Sequence, residues 1–137
     1  MGRVLAIDLG TKRTGIAVTD ILKLVANPLE TVATANLISF LDGYFKNEEV
    51  DTIVVGHPMA LNGAETEMTQ KALHLKDRLA QKYPDKKVLL VDERFTSKVA
   101  MRSMIEMGSK KKDRMEKAGN LDKVSAAIIL QIYLEQP

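Results

Sequence analysis

The sequence predicts an α/β fold, with a mixed five-stranded sheet flanked by helices. Two strand-like segments joined by a short polar turn, with a third close behind them, predict an antiparallel three-strand meander. Two later segments are short and almost wholly apolar, as is typical of parallel strands covered on both faces. Helical periodicity precedes, separates and follows these two segments, so the predicted order of elements is βββ-α-β-α-β-α-α.

The meander is predicted in the first quarter of the chain. Residues 4–7 are an apolar run, residues 9–14 a tight polar turn, and residues 15–20 a second strand. Residues 25–34 alternate apolar and polar side chains and include Pro28. Because proline cannot donate a ladder hydrogen bond, this third strand is expected at an edge of the sheet.

A helix, a strand and a second helix are predicted in the middle of the chain. Asn36 is expected to cap a helix that continues to Lys46. Residues 52–56 form a short strand that ends before His57, and residues 65–82 form the next helix. The strand has almost no polar side chains, which favours a position at the centre of the sheet.

The last strand and two further helices complete the predicted fold. Residues 87–91 are an apolar run with the composition of a buried strand. A helix is expected over residues 96–107, where Gly108 ends it. After a basic loop, Asn120 is expected to open a final helix that continues to Glu135.

Length and composition narrow the class of protein. The 137 residues are the length of one domain, so we expect a single domain over residues 1–137. No apolar run approaches the roughly 20 residues that span a bilayer, and the N-terminus lacks the layout of a signal peptide, so a cytoplasmic protein is expected. The chain has no cysteine and two histidines, which excludes thiolate metal sites. Any metal should therefore be a hard cation on carboxylates.

Positive charge is concentrated just before the final helix. Residues 96–123 hold eight lysines and arginines against four acids, a net +4 in a chain whose total is +2. Nucleic acid would be attracted to this end of the chain, although a lysine-rich loop that serves solubility fits the same count. The residues predicted to contact nucleic acid are Lys12, Arg13, Arg94, Lys110, Lys111, Lys112 and Arg114.

Three acidic residues stand where ligand sites form in mixed sheets. Asp8 follows the first strand, Glu93 follows the last strand, and Asp122 lies early in the final helix. Asp8 and Glu93 would meet if their strands are neighbours, and the small residues 125–127 would let the helix approach them. Each acid also has a structural explanation, as part of a turn, a cap or a favourable helix dipole. Three clustered carboxylates repel one another unless cations offset the repulsion, so the set predicts a metal site.

Four segments, taken in order, resemble the motifs of one protein family. Residues 5–20, 54–58 with 62–63, 91–97 and 121–131 are similar to motifs of the YqgF (RuvX) family. The resemblance covers essentially the whole chain and implies an RNase H-like fold. It also implies a nuclease that either matures the 5′ end of 16S rRNA or resolves Holliday junctions.

The resemblance also assigns the metal ligands. The family's acidic set falls on Asp8, Glu93 and Asp122, which implies catalysis with Mg²⁺ or Mn²⁺ at those residues. His57 departs from the family pattern, in which an apolar residue is more usual. The sequence leaves open whether Asp92 or His57 takes part in the site.

Substrate and function class also stay open at this point. Structured pre-rRNA is the first expectation and a four-way DNA junction the second. A junction needs two coordinated cuts and normally a dimer, and the expected state here is a monomer or a weak homodimer. Residues 8–11 also resemble the first phosphate loop of the actin and sugar-kinase fold, although those proteins need two such domains to enclose a nucleotide. A nucleic-acid-binding module without catalysis is the remaining alternative.

Overall fold

A computed structural model of the chain describes residues 2–57, 65–92 and 118–135, with side chains from residue 123 onward in the last range. These ranges contain five strands and three α-helices. The strands are β1 (Arg3–Asp8), β2 (Arg13–Thr19), β3 (Ala26–Ala33), β4 (Val50–His57) and β5 (Lys87–Asp92). The helices are α1 (Leu37–Asn47), α2 (Glu67–Lys82) and α3 (Ala118–Glu135).

The five strands form one mixed sheet in the order β3-β2-β1-β4-β5. β2 pairs antiparallel with both β1 and β3, whereas β4 pairs parallel with both β1 and β5. The predicted fold class is therefore confirmed, and β3, which contains Pro28, is an edge strand as expected. β4 lies between β1 and β5, so the strands that precede Asp8 and Glu93 are not neighbours, which was the condition for these two acids to meet directly.

Both faces of the sheet are buried, each against different helices. On the first face, Leu5 packs in one core cluster with Leu41 of α1 and Leu79 of α2, and we term this the α1/α2 face. On the opposite face, Ala6 packs with Ile129 of α3, and we term this the α3 face. Because β1 and β4 lose contact with water on both sides, they need to be almost wholly apolar.

Two residues predicted at helix starts do not cap a helix, although α1 begins directly after Asn36 as predicted. Asn36 precedes α1, but its side chain makes no capping hydrogen bond. It ends a 3-10 turn over Thr34–Asn36 with φ −102° and ψ 5°, whereas a capping residue normally has an extended backbone. Asn120 lies inside α3, which already includes Ala118, so it does not open that helix. The helix predicted over residues 96–107 lies outside the described residues.

Thr66 caps α2, and the helix begins within two residues of its predicted start. Thr66 Oγ1 accepts a hydrogen bond from the backbone N of Thr69 at 3.3 Å, and Thr69 Oγ1 accepts one from the backbone N of Thr66 at 2.8 Å. This reciprocal pair satisfies two backbone donors at the start of the helix. None of the helices that the structure describes is both long and apolar enough to cross a membrane.

Asp51 fastens the end of the sheet at which β1 starts. Its Oδ2 accepts hydrogen bonds from the backbone N of Gly2 at 3.1 Å and from Lys23 Nζ at 2.6 Å. Its Oδ1 accepts a third from Thr52 Oγ1 at 2.8 Å. Partial burial acts to raise the pKa of Asp51, but these hydrogen bonds outweigh it and hold the pKa below the ordinary aspartate value.

Candidate active site

Asp8 is the last residue of β1 and lies half-buried at the carboxyl end of that central strand. Side chains alternate between faces along a strand, so Asp8 shares the α3 face with Ala6. Continuing the parallel register of β1 and β4 by one residue places Asp8 beside Gly56, which is paired in turn with Val91 of β5. Gly56 is buried and contributes no side chain to the α3 face between Asp8 and β5.

His57 and Asp92 end the next two strands and are paired in the parallel register of β4 and β5. By the same alternation they share the face of Val55 and Leu90, which is the α1/α2 face. His57 Nε2 is buried and has no hydrogen-bond partner within the described ranges. The structure therefore places both residues on the face of the sheet opposite to Asp8 and does not bring them together with it.

The other two acids of the predicted set are less fully placed. Glu93 lies outside the described residues, and Asp122 is placed by its backbone alone, one helical turn before the fully buried Ala126 of α3. In the described part of the chain, no group of three or more acidic or histidine side chains could hold a metal ion. The three-acid site therefore stays a prediction. The predicted nucleic-acid contacts that also lie outside the described residues are Arg94, Lys110, Lys111, Lys112 and Arg114.

The loop between β1 and β2 forms a concave surface immediately after Asp8. Gly10, Thr11, Lys12 and Arg13 line a cavity of about 270 Å³. A Cβ atom added to Gly10 would lie 2.2 Å from the backbone O of Arg13, so the loop needs glycine for this close approach. The side chains of Lys12 and Arg13, both predicted to contact nucleic acid, are exposed at its rim.

Thr34 holds this loop in place from the end of β3. Its backbone N donates to the backbone O of Lys12 at 2.9 Å, and its Oγ1 donates to the backbone O of Gly10 at 2.7 Å. Since the Thr34 hydroxyl hydrogen is used there, the 2.8 Å contact between the Thr14 and Thr34 hydroxyls must have Thr14 as its donor. Thr14 is fully buried, so the loop is fastened to the core of the sheet.

A second concave surface lies between α1 and α2, next to the same loop. This basic groove has a volume of about 260 Å³. It is lined by Leu9, Thr34, Leu37, Ile38, Lys71, His74, Leu75 and Arg78. The groove was not predicted from the sequence, although the spacing of Lys71, His74 and Arg78 places all three on one side of a predicted helix.

The described part of the site offers one carboxylate and, next to it, two cationic side chains. Asp8 offers carboxylate oxygens, which are the donors that Mg²⁺ and Mn²⁺ prefer. The loop that follows it presents the exposed side chains of Lys12 and Arg13 around a cavity.

Two solved structures show a weak likeness to this chain. A ROK family glucokinase from Streptomyces griseus, in complex with glucose and AMPPNP, matches 72% of this chain and 36% of its own at 15% identity with a TM-score of 0.44. YeaZ from Pseudomonas aeruginosa matches 80% of this chain and 50% of its own at 21% identity, also with a TM-score of 0.44. Likeness at this level carries no argument for fold or function, so it does not support the sugar-kinase alternative.

Curated relatives and a family profile give a much stronger match. A protein of Phocaeicola vulgatus named "Putative pre-16S rRNA nuclease" is 50% identical over 135 residues, which cover 98% of this chain and 96% of the relative. A protein of the same name from Christiangramia forsetii is 49% identical over 98% of this chain and 98% of the relative. Another from Bacteroides thetaiotaomicron is 48% identical over 98% of this chain and 97% of the relative. The RuvX family, described as "Holliday junction resolvase", matches residues 2–136. With these matches over nearly its whole length, the chain belongs to the RuvX family.

Proposed function

We propose that the protein is a divalent-metal-dependent endonuclease that hydrolyses phosphodiester bonds in structured nucleic acid, first of all in maturing the 5′ end of pre-16S rRNA. The observation that carries this proposal is the position of Asp8. It is a half-buried carboxylate at the carboxyl end of a central strand, directly before a loop that exposes Lys12 and Arg13. The name shared by the relatives supports the choice of pre-16S rRNA.

Glu93, rather than Asp92, is the proposed second ligand. Asp92 lies on the α1/α2 face and Asp8 on the α3 face, so one ion cannot readily bind both. A residue that continues the pleat of β5 by one position returns to the face of Val91, which is the face of Asp8. Glu93 has that position in the sequence. β5 is two strands away from β1, about 10 Å, and the longer glutamate side chain suits this span better than aspartate.

Asp122 is the proposed third ligand, because α3 packs on the same face of the sheet as Asp8. Ser125 and Ala126 are both buried, which supports the expectation that small residues let this helix approach closely. Helix residues four positions apart lie on the same side, and their side chains lean toward the N-terminus. The backbone of Asp122 lies one helical turn before Ala126, which contacts the core of the α3 face.

The three acids would hold the ion, and basic side chains would hold the substrate. A bound Mg²⁺ or Mn²⁺ supplies an activated water and stabilises charge that develops at the phosphodiester. The chain's own contribution is to orient the scissile bond by contacts to flanking phosphates. Lys12 and Arg13 are proposed for this role from the loop after β1. The further residues proposed for it are Arg94, Lys110, Lys111, Lys112 and Arg114.

A four-way DNA junction is the second candidate substrate, favoured by the description of the matching family. Resolving a junction requires two coordinated cuts and hence two active sites related by a two-fold axis. A monomer or weak homodimer, which is the proposed state of this chain, suits a single cut in rRNA more directly. Sedimentation over a range of protein concentrations, with and without a junction, would show whether DNA stabilises a dimer.

The test is incubation of the purified protein with pre-16S rRNA and with a synthetic four-way junction, each with and without Mn²⁺. We expect metal-dependent cleavage of the rRNA, which the substitution Asp8→Asn abolishes. Asp92→Asn is the matched control, because it makes the same change at the same end of the sheet but on the opposite face. It should leave cleavage intact. The proposal would be contradicted if the Asp8→Asn variant cleaved the rRNA. It would also be contradicted if the unmodified protein cleaved neither substrate.

A further inference from the structure

The basic groove between α1 and α2 carries cations that the proposed active site does not use. Lys71, His74 and Arg78 occupy positions i, i+3 and i+7 of α2 and therefore lie on one side of that helix. All three are exposed, whereas Leu75 between them is buried and packs into the core of the α1/α2 face. The helix thus faces the groove with an apolar base and a basic rim.

These cations are largely available to an external anion. Lys71 Nζ lies 3.4 Å from Glu67 Oε1, but that carboxylate is 83% exposed, and such a pair is weak in water. Within residues 2–57, 65–92 and 118–135, neither His74 nor Arg78 takes part in an ion pair. The described lining of the groove contains no carboxylate. Its net charge is therefore positive.

The groove adjoins the loop that follows Asp8. Leu9, the next residue after Asp8, lines the groove, and so does Thr34. Thr34 Oγ1 donates to the backbone O of Gly10 at 2.7 Å, and Gly10 lines the cavity of the loop. A chain bound near Asp8 could therefore pass across the exposed side chains of Lys12 and Arg13 and enter the groove on the other face of the sheet.

We propose that the basic groove binds the phosphodiester backbone of the same nucleic-acid strand that is cut beside Asp8. This inference rests on the proposed nuclease function and extends the substrate contact to the α1/α2 side. From Lys71 to Arg78 the helix rises about 10 Å. A strand that lies along this length presents more than one phosphate, so the cations can contact different phosphates of the same strand. The partly exposed apolar side chains of the groove, Leu9 and Ile38, can contact sugars or bases.

An acidic protein segment is the other polymer that this charge could attract. Nucleic acid is favoured because the groove continues into the loop with Lys12 and Arg13, directly after the carboxylate proposed to bind the metal. A polyanion that spans the groove and the loop is attracted by the cations of both surfaces. The groove alone would offer an acidic peptide fewer contacts.

The experiment measures binding of a fluorescent single-stranded RNA in EDTA, where no cleavage occurs, over a series of salt concentrations. The variant Lys71→Ala/Arg78→Ala removes the two permanent charges of the groove. Its matched control is Lys46→Ala/Lys87→Ala, which removes two exposed lysines at the end of the sheet opposite to Asp8. Circular dichroism melting confirms that each variant is folded.

We expect the groove variant to bind RNA roughly tenfold more weakly at low salt, and the slope of log affinity against log salt to become shallower by about 1.4, at about 0.7 for each lost phosphate contact. In the control variant, both the loss of affinity and the change in slope should be less than half as large. Equal losses in both variants, binding by the groove variant at the unmodified level, or no RNA binding by the unmodified protein would each overturn the inference.

Two further measurements separate the alternatives. If poly-glutamate displaces the RNA as well as unlabelled RNA does, and this depends on Lys71 and Arg78, the groove binds acidic protein and the inference is wrong. The same variants are then assayed for cleavage with Mn²⁺. An unmodified protein that binds RNA through the groove but cuts nothing contradicts the nuclease proposal alone. An unmodified protein that cuts, beside a groove variant that binds and cuts normally, contradicts the groove alone.

Discussion

Asp8 and Asp92 are the last residues of β1 and β5, two strands that run parallel, so both lie at the carboxyl end of the sheet. They nevertheless lie on opposite faces of it. Asp8 follows Ala6 on the face that α3 covers, whereas Asp92 follows Leu90 on the face that α1 and α2 cover. For the proposed site under α3, Asp8 therefore lies on the same face as that helix and Asp92 on the opposite face. Because side chains alternate between the two faces along a strand, the pleat of β5 is what favours Glu93 over Asp92 as the proposed metal ligand.

The first prediction concerns the stability of the metal-free protein. If Asp8 lies in a cluster of carboxylates, Asp8→Asn should relieve repulsion and raise Tm in EDTA by about 4 °C, which is the shift that about 1 kcal/mol produces in a domain of this size. It should also remove the rise in Tm that Mn²⁺ causes in the unmodified protein, because bound ligand stabilises the folded state. Differential scanning calorimetry measures both effects. A lower Tm in EDTA would instead identify Asp8 as a structural turn residue.

The second prediction compares two glycines. Gly10→Ala should destabilise the protein by about 2 kcal/mol or more, because the new Cβ would lie 2.2 Å from the backbone O of Arg13 and the loop would have to open. Gly43→Ala should stabilise it by about 0.5 to 1 kcal/mol, because Gly43 lies inside α1 and a Cβ there meets nothing within 4 Å. Urea denaturation gives both values. A tolerated Gly10→Ala would mean that the loop does not need this close approach.

Some of the fold could be predicted because local sequence determines it. The apolar runs at residues 4–7, 52–56 and 87–91 form strands, since no other arrangement buries such short segments as well. Their order in the sheet could not be predicted as securely. That β4 lies between β1 and β5 depends on how α1 and α2 pack across one face, which no single segment encodes.

The candidate site shows the same division. The position of Asp8 at a strand end followed from the pattern alone, whereas the face of Asp92 needed both the register and the pleat of β5. The start of α1 after Asn36 was predicted correctly, but the Asn36 side chain makes no capping hydrogen bond, because the backbone there is not extended. The cations of α2 were visible at helical spacing, but the presence of a groove depends on the separation of two helices that are distant in sequence.

The third prediction tests the fastening of the loop. Thr34→Val removes the hydroxyl that donates to Gly10 and accepts from Thr14, and it leaves the fully buried Thr14 hydroxyl without that acceptor. We expect a loss of about 2 kcal/mol in the free energy of unfolding and faster amide exchange in the loop over residues 10–13. Thr34→Ser keeps the hydroxyl and should lose much less. Unchanged exchange in Thr34→Val would show that the backbone bond to Lys12 is sufficient.

The fourth prediction is a pH dependence at the opposite end of the sheet. Hydrogen bonds from Lys23, Thr52 and Gly2 hold the pKa of Asp51 below its ordinary value despite partial burial. A lowered pKa stabilises the fold above the unfolded value of about 3.9 and ceases to do so as pH falls through the folded value. Asp51→Asn should therefore cost about 0.5 to 1 kcal/mol at pH 7, a small figure because the pair is partly exposed, and almost nothing in strong acid. Urea denaturation at both pH values measures this difference. Asp85→Asn is the control, because that carboxylate is 78% exposed, and it should show no such trend. If Asp51→Asn lowered the free energy of unfolding equally at both pH values, the charge of Asp51 would not be what stabilises this end of the sheet.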